Sequence, residues 1–304
     1  MKNNPLVIGL GEVVIDWVTE LPYFPKRDEK IDALSENLFS GGATANFLVA
    51  VARLGVSCGF IGAVGDDSYG NFLLSEFEKE NVNTEFTIKK KGMKTPVNFI
   101  FIVNGEKTII QSPNMYISKL EPSDLKEDYI KKSKVLHTTI IHQDLTKEAI
   151  KIAKKHNVKV SIDLESQIAK RGWNELESII KEADVLIPNK EGAKMITKTK
   201  DIHQAARILI KRGIPLVIIT MGKKGALITT QEYQKIIPAY AVSKVVDTTG
   251  AGDTFNGAFI VARYINDWDI EKACRYANAA AALKIKKLGA RTGMPKDEEI
   301  SAFW

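Results

Sequence analysis

Short apolar runs rich in β-branched residues alternate along the chain with longer segments in which apolar residues recur at helical spacing. This alternation is typical of βαβ units that build a mostly parallel sheet. Seven runs are predicted as core strands: Leu6–Leu10, Cys58–Val64, Val135–Ile141, Lys159–Leu164, Val185–Pro188, Leu216–Thr220 and Ala226–Thr229. The pattern therefore predicts an α/β fold of the doubly wound kind.

The segments between the strands carry helix end signals. One helix is predicted over Ala43–Leu54, where Gly55 follows at the C′ position. Another is predicted over Ser68–Glu80, where Asp67 or Ser68 can cap the first turn. Both signals agree with strands and helices in alternation.

A β-hairpin is predicted where the helical rhythm stops. Thr95–Val103 alternates with period two, Asn104-Gly105 suits a type I′ turn, and Glu106–Ile110 returns as the second strand. The positions that share one face of the first strand are Val97, Phe99, Phe101 and Val103.

Further strands of this kind are predicted at Val13–Val18 and Ile31–Phe39. A small accessory sheet is therefore expected from about residues 13–39 and 95–111. An apolar hairpin on an α/β domain can form a lid over a site, a dimer surface, or both, or it can extend the edge of the main sheet. No repeat or linker is visible, so residues 1–304 are predicted as one domain.

Composition allows such a domain and limits its partners. The 304 residues are 44% hydrophobic, which is enough for a full core. The net charge is +6, but the basic residues are scattered among acidic ones, and runs such as Lys89–Lys91 and Lys131–Lys132 are interpreted as solvated faces. No nucleic-acid partner is predicted, although a mildly positive protein suits an anionic nucleotide.

The two cysteines, Cys58 and Cys274, lie in apolar stretches and form no CxxC pair or cluster with histidines. A structural disulfide or zinc site is therefore not predicted. The N-terminal apolar run is too short for a signal sequence, and no run of about 20 apolar residues occurs. A cytoplasmic protein with no membrane partner is expected.

The stretch Val245–Val261 carries the most informative chemistry, because a polar turn with glycines opens directly into an apolar helix. Gly250 and Gly252 allow a tight turn and close approach to a ligand. The backbone amides of four consecutive residues are expected to point into one spot: Gly250, Ala251, Gly252 and Asp253. There they would stabilise a transferring phosphoryl group. This is a predicted anion hole.

Asp253 stands at the mouth of this anion hole. A carboxylate there can take the proton of an attacking hydroxyl as a general base. The plainer interpretation is a carboxylate that stabilises the helix dipole, worth under about 1 kcal/mol at an exposed site. The spacing alone does not decide between the two.

Two other phosphate motifs fail on inspection. A Walker A motif is absent, because Gly222-Lys223-Lys224 is followed by Gly225 rather than Ser or Thr. The dinucleotide fingerprint fails as well, since Val14 replaces the third glycine after Gly9 and Gly11 and a strand continues where a helix should begin. Neither a P-loop enzyme nor a simple NAD enzyme is favoured.

At this point the sequence resembles the ribokinase-like (PfkB-type) sugar kinases over essentially its whole length. The DTxGAGD signature of that family reads Asp247–Asp253 here, and the GGxxxN signature reads Gly41–Asn46, followed by Leu54-Gly55. The two signatures stand in the right order, about 200 residues apart. The resemblance implies a three-layer α/β/α domain with a mostly parallel central sheet and a small β-sheet lid.

The resemblance also implies roles for single residues. Asp253 matches the catalytic base, and Gly250–Gly252 match the anion hole. Asp16 matches the aspartate that holds sugar hydroxyls. Gly42 matches the close-packing glycine of the sugar site and Asn46 its hydroxyl-binding amide, although from the residues alone a turn glycine and a helix-start amide remain open.

For the nucleotide, the resemblance implies ATP with Mg²⁺. Thr220, Gly222 and Gly225 match a TxGxxG turn along the phosphates and ribose, and Asn278 matches the position beside adenine. Asn189 opens a segment that resembles an NxxE motif near the metal. Mg²⁺ would be held mainly by phosphates and water.

The metal motif departs from the family pattern, because Gly192 stands at the expected acidic position and Glu191 comes one residue early. Either Glu191 serves from a shifted register or the metal shell differs. The resemblance also allows a monovalent cation, K⁺, near Asp247 and Thr249.

The substrate is predicted to be a neutral sugar, fructose or a similar ketose. The Gly-Glu-x-x-x-Asp opening favours this, and in place of a DxNxR segment the chain has Asp163-Leu164-Glu165 with Arg171 offset, so no arginine for a substrate carboxylate is evident. Ribose, a nucleoside, ketodeoxygluconate, or sugar binding without catalysis remain open. The resemblance also implies a homodimer formed through the lid.

Overall fold

A nine-stranded sheet and a separate four-stranded sheet make up the β-structure of the computed structural model, which describes residues 4–113 and 120–304. The strands of this part are β1 Val7–Leu10, β2 Val14–Glu20, β3 Ser35–Gly41, β4 Cys58–Gly65, β5 Thr87–Lys90, β6 Val97–Val103, β7 Glu106–Gln111, β8 Val135–Thr138, β9 Lys159–Leu164, β10 Val185–Pro188, β11 Val217–Thr220, β12 Ala226–Thr229 and β13 Gln234–Ile237. The helices are α1 Ala43–Arg53, α2 Ser68–Lys79, α3 Glu127–Ile130, α4 Gln143–Lys155, α5 Ser166–Ala169, α6 Trp173–Ile180, α7 Lys190–Thr197, α8 Ile202–Lys211, α9 Ala251–Ile260, α10 Ile270–Lys284 and α11 Asp297–Ser301.

The central sheet has the order β13-β12-β11-β10-β9-β8-β1-β4-β5. Its pairs from β5 to β11 are parallel, and β12 and β13 join antiparallel at one edge. All seven predicted core strands are present. The two edge strands β5 and β13 were not predicted, and Lys89 and Lys90 belong to β5, where charged side chains suit an unpaired edge.

Alternate residues of the sheet face two separate cores. Val7 of β1 belongs to the cluster that contains Phe47 of α1 and Phe259 of α9, whereas the next residue, Ile8, belongs to the cluster that contains Leu209 of α8. A strand that is buried on both faces appears in the sequence as a continuous apolar run, and such runs predicted these strands. The three-layer α/β/α prediction is confirmed.

The lid is a separate sheet of order β3-β2-β6-β7, in which β2 and β6 pair parallel and the outer pairs are antiparallel. It is not an extension of the central sheet. Asn104 and Gly105 both have positive φ, 50° and 80°, as a type I′ turn requires. The strand predicted at Ile31–Phe39 begins only at Ser35 and continues to Gly41, so the lid ends where the GGxxxN segment starts.

Both cysteines are buried free thiols, and burial raises the pKa of Cys58 and of Cys274. Of the helices in the two described ranges, none combines the length and the apolarity that a membrane crossing requires.

Candidate active site

The turn that opens α9 is built around Gly250. Its φ of 77° is left-handed, and a Cβ there would lie 2.4 Å from the carbonyl oxygen of Ala290. Asp247 stabilises the same turn, because its Oδ1 accepts hydrogen bonds from the Thr249 amide at 2.9 Å and the Thr249 hydroxyl at 2.7 Å. Only glycine fits this position without displacing backbone.

The start of α9 leaves room for an anion. No side chain of the described residues caps it, and a Cβ built on Gly252 would have no atom within 4 Å. The Ala251 amide is engaged in the turn, since it donates to the Thr248 carbonyl at 3.2 Å. The first-turn amides of Gly252 and Asp253 are therefore the donors that fit a phosphate group.

Asp253 is bonded to a residue of the other signature. The Asn46 Nδ2 donates to the Asp253 Oδ2 at 2.9 Å, which joins α1 to α9. Gly42 lies at the N-terminal end of α1 with φ 98°. The structure thus places Asp253 next to Asn46, one turn into the helix that Gly42 precedes.

Arg291 completes this group and was missed from sequence. Its Nε donates to the Asn46 Oδ1 at 2.8 Å and its Nη2 to the Gly41 carbonyl at 3.3 Å. No pattern marks it, because it is a lone arginine after Gly289-Ala290. Arg291 is thus a buried cation beside the predicted sugar-binding amide, bonded to the protein through Nε and Nη2.

Four further carboxylates surround Asp253. Burial raises the pKa of Asp253 to about 7, and repulsion from Glu165 and Asp16 adds to it, while the Asn46 bond and Arg291 lower it. Burial, followed by repulsion from Glu165, raises the pKa of Glu12 to about 8. Burial raises the pKa of Asp163 and of Glu165 as well, and Asp163 is also repelled by Glu165. A pKa near neutrality suits a general base at physiological pH.

The lid places Asp16 over this site. Asp16 lies on β2, and its Oδ1 accepts a 2.8 Å hydrogen bond from the Nδ2 of Asn98 on the neighbouring β6. Burial raises the pKa of Asp16, against the opposing effects of Asn98 and Arg291. Asn98 was not predicted, and neither was Asn256, whose Nδ2 donates to the Asp163 Oδ2 at 2.9 Å.

Four of the five predicted nucleotide residues lie at or just after the ends of β10 and β11, whereas Asn278 lies on α10. Thr220 ends β11 and forms an isolated parallel bridge with Asn189, which follows β10. Gly222 and Gly225, with φ of 57° and 87°, form the turn into β12. Carboxyl ends of parallel strands are where ligands bind in open α/β sheets.

The side-chain amides of two predicted nucleotide residues form hydrogen bonds with the backbone. The Asn189 Oδ1 caps α7 by accepting from the Gly192 amide at 2.7 Å. The Asn278 Nδ2 donates to the carbonyls of Ile237 at 3.1 Å and Pro238 at 3.0 Å. Glu191 is exposed and paired with Lys194 at 3.2 Å, so its carboxylate is turned to solvent rather than to a metal cage.

Lys284 holds the turn at Asp247 and was also missed from sequence. Its side chain has 0% exposure, its Nζ donates to the Asp247 carbonyl at 2.9 Å, and it lies 4.0 Å from the Asp247 Oδ2. That Oδ2 also accepts from the Gly289 amide at 2.9 Å. An ammonium therefore already faces the predicted monovalent-cation position at Asp247 and Thr249.

Gly9 and Gly11 serve helix packing. A Cβ on Gly11 would lie 2.1 Å from the Thr44 Oγ1, and one on Gly9 would lie 2.9 Å from Leu48 side-chain atoms of α1. The next element along the chain is strand β2, which begins at Val14, so these glycines do not lead directly into a helix as the dinucleotide fingerprint requires. This arrangement does not form a dinucleotide loop.

Comparison of the sequence with known proteins finds carbohydrate kinases. The model of the pfkB family carbohydrate kinases matches residues 4–297. A ribokinase of Haemophilus influenzae is 30% identical over 303 residues, which cover 97% of this chain and 96% of that protein. A probable fructokinase-5 of Arabidopsis thaliana is 30% identical over 319 residues and covers 97% and 96% of the two chains.

Solved structures with the same fold support the assignment. A ribokinase from Thermotoga maritima superposes with a TM-score of 0.84 at 29% identity, over 98% of this chain and 99% of the other. A ribokinase II from E. coli in complex with ATP and Mg²⁺ superposes with a TM-score of 0.85 at 25% identity, over 98% of both chains. With a family model that spans nearly the whole sequence, this chain belongs to the pfkB family of carbohydrate kinases.

Proposed function

We propose that this carbohydrate kinase transfers the terminal phosphate of ATP to a hydroxyl of a small neutral sugar, with Asp253 as the general base. The observation that carries the proposal is the 2.9 Å bond between Asn46 and Asp253 beside the uncapped start of α9. A carboxylate, a hydroxyl-binding amide and an anion hole then meet at one point, as phosphoryl transfer requires.

The proposed reaction uses few groups. The sugar lies between Asp16 and Asn46, and Asp253 takes the proton of the attacking hydroxyl. The amides of Gly252 and Asp253 stabilise the charge on the transferring phosphoryl group. The lid carries Asp16, and its closure excludes water that would otherwise accept the phosphate.

ATP fits the open space in front of Gly252, and the turn at Gly222 and Gly225 is the proposed cradle for its remaining phosphates and ribose. Across the described residues, no three His, Cys, Asp or Glu side chains converge into a metal cage. Mg²⁺ would therefore rest mainly on phosphate oxygens and water, with Glu191 too exposed to fix it. The ion would offset the negative charge that develops on the phosphates.

The charge of the acceptor site favours a neutral substrate, with fructose or a similar ketose as the proposal. Asp16 and Glu165, which both repel the Asp253 carboxylate, would repel a substrate carboxylate in the same site. Two donor groups of Arg291, Nε and Nη2, are already bonded to Asn46 and to the Gly41 carbonyl, which leaves only Nη1 without a partner among the described residues. A sugar acid would thus meet more repulsion than attraction.

A substrate panel tests the proposal. The purified protein is given ATP and Mg²⁺ with fructose, another ketose, ribose, deoxyribose, a nucleoside or ketodeoxygluconate, and sugar-dependent ADP release is measured. We expect the highest kcat/KM for a ketose. Preference for the sugar acid or the nucleoside would overturn the substrate proposal, and ATP binding without turnover of any compound would point to a sugar-binding member of the family.

We also propose a homodimer formed through the lid. Four apolar residues stand directly opposite one another across its strands: Leu38, Trp17, Phe99 and Ile110. Leu38, Phe99 and Ile110 are 36%, 37% and 52% exposed. Asp16 and Asn98 point to the opposite face, so the apolar row is available to a second copy.

Light scattering on Ile110→Asp tests the dimer, with Ile236→Asp as the matched control, because Ile236 is a 45% exposed apolar residue on β13, outside the lid. We expect a dimer for the wild type and the control and a monomer for Ile110→Asp. A monomeric wild type, or a dimer that survives Ile110→Asp, would contradict the proposal.

A further inference from the structure

Arg291 carries a charge in a place where a charge is costly. It is 8% exposed, follows the two residues Gly289-Ala290, and lies beside α1 and α9 rather than on the surface. Burial lowers its pKa to about 10. Buried guanidinium groups persist where their partners offset the loss of hydration, so the partners indicate the role.

The guanidinium group fixes the orientation of the Asn46 amide. Because the Arg291 Nε donates to the Asn46 Oδ1, the Asn46 Nδ2 must face the Asp253 Oδ2. A flipped amide would set its NH₂ against the guanidinium group and its oxygen against the carboxylate, which are both repulsive pairings. Asp253 is therefore held through an amide that Arg291 orients.

The positive charge of Arg291 also counteracts the effect of the neighbouring carboxylates on Asp253. The groups that act on Asp253 are four carboxylates and two cations: Glu12, Asp16, Asp163, Glu165, Arg291 and Lys284. Burial and the carboxylates favour a protonated Asp253, which could not accept a proton, whereas Arg291 favours the ionised form.

The side chain of Arg291 is not needed to anchor its own backbone. Arg53 does this, because its Nη1 donates to the Arg291 carbonyl at 2.7 Å and to the Met294 carbonyl at 2.9 Å. Arg53 is itself held by Glu80 through bonds of 2.9 Å and 2.6 Å. Loss of the Arg291 side chain therefore leaves this segment tethered.

We propose that Arg291 is a positioning residue for the general base: through Asn46 it aims the Asp253 carboxylate at the acceptor hydroxyl, and its charge favours the ionised form of that carboxylate. This inference rests on the proposed function of Asp253. The Arg291 Nη1 has no hydrogen-bond partner among the described residues, which agrees with a group retained for its charge and its Nε and Nη2 bonds rather than for complete pairing.

The test is the pH dependence of kcat/KM for three variants. For Arg291→Met we expect a loss of roughly 10- to 100-fold at pH 7 and an acid limb that moves to higher pH by at least about half a unit, since one stabilising charge is lost. Arg291→Lys keeps the charge, so its limb should return toward that of the wild type while kcat recovers only in part. Arg291→Gln replaces Arg291→Met if the latter does not fold by circular dichroism.

Coupling to Asp253 separates positioning from a general structural effect. If Arg291 acts through the base, adding Asp253→Asn to Arg291→Met costs little beyond Asp253→Asn alone. An unchanged acid limb in Arg291→Met, or losses that multiply in the double variant, would overturn the inference. If instead Asp253→Asn itself remains active, the proposed function fails and not only the role of Arg291.

Discussion

The Asn46 Nδ2 donates a 2.9 Å hydrogen bond to the Asp253 Oδ2 and so connects two residues that are 207 positions apart in the chain. Each belongs to a different signature, and each opens a helix, α1 or α9, that packs in the same core. The amide predicted to bind the sugar therefore also holds the predicted base. In the proposed function, substrate binding and base orientation therefore share one side chain.

Two neighbouring glycines should respond differently to the same substitution. Gly250→Ala sets a methyl group 2.4 Å from the Ala290 carbonyl at a φ of 77°, so we expect a lower melting temperature by several degrees. The methyl group of Gly252→Ala would point into open space, so this variant should fold while its ATP turnover falls at least about 10-fold. Thermal melting and ADP release measure both.

The opposite pattern, with Gly250→Ala stable and Gly252→Ala unfolded, would contradict the geometry of this turn. A Gly252→Ala variant that stays active with an unchanged KM for ATP would contradict the proposal that a phosphate of ATP binds at the start of α9.

The rate should fall below neutral pH. Burial, with the repulsion of Glu165, raises the pKa of Asp253 to about 7, and a base works only when it is ionised. The wild-type kcat/KM should therefore drop about 10-fold per unit as pH decreases below about 7. ATP binding is measured over the same range to separate titration of the nucleotide, and a flat profile down to pH 5.5 would argue against Asp253 as the base.

Glu12→Gln should stabilise the fold at alkaline pH. The pKa of Glu12 is raised to about 8 in the folded protein from 4.5, so its contribution to stability is full below pH 4.5 and is lost as pH rises toward 8. Glutamine cannot ionise, so the variant should melt roughly 2 °C higher or more at pH 8 and no higher near pH 4.5. Glu106→Gln, on the exposed strand β7, is the control with no such gain. Equal melting of Glu12→Gln and wild type at pH 8 would contradict this pKa.

Lys284 should limit the response to potassium. Its ammonium is buried against the Asp247 carbonyl at 2.9 Å, so we expect the wild-type rate to change by less than about twofold between Na⁺ and K⁺. Lys284→Met removes the charge, and its lower rate should rise again with added K⁺ or NH₄⁺. Strong activation of the wild type by K⁺ would instead support a bound monovalent cation at Asp247 and Thr249.

Much of the fold was predictable because its signals are local. The strands of the central sheet are continuous apolar runs, and the turn before α9 shows itself through Gly250. The edge strands were missed because their burial is slight: β13 has one buried residue, Ile237, and β5 none. An edge strand lacks the periodicity that reveals a half-buried one.

The candidate site was predictable only where motifs carry it. Arg291 and Lys284 are single cations with no pattern around them, and their roles come from contacts over long distances in sequence. Arg291 meets Asn46 across 245 positions, and Lys284 meets Asp247 across 37. The sugar could not be predicted from the sequence for the same reason, because the proposed sugar-binding residues Asp16 and Asn46 lie on separate elements, β2 and α1.

The most direct measurement is the rate of sugar-dependent ADP formation by wild type and Asp253→Asn, on the best sugar of the panel and at saturating ATP and Mg²⁺. The variant keeps the shape and the Asn46 contact of the carboxylate but cannot take a proton. We predict a fall in kcat of roughly 10²- to 10⁴-fold, with thermal shifts by ATP and sugar retained. A variant that turns over within about threefold of the wild type would contradict Asp253 as the base.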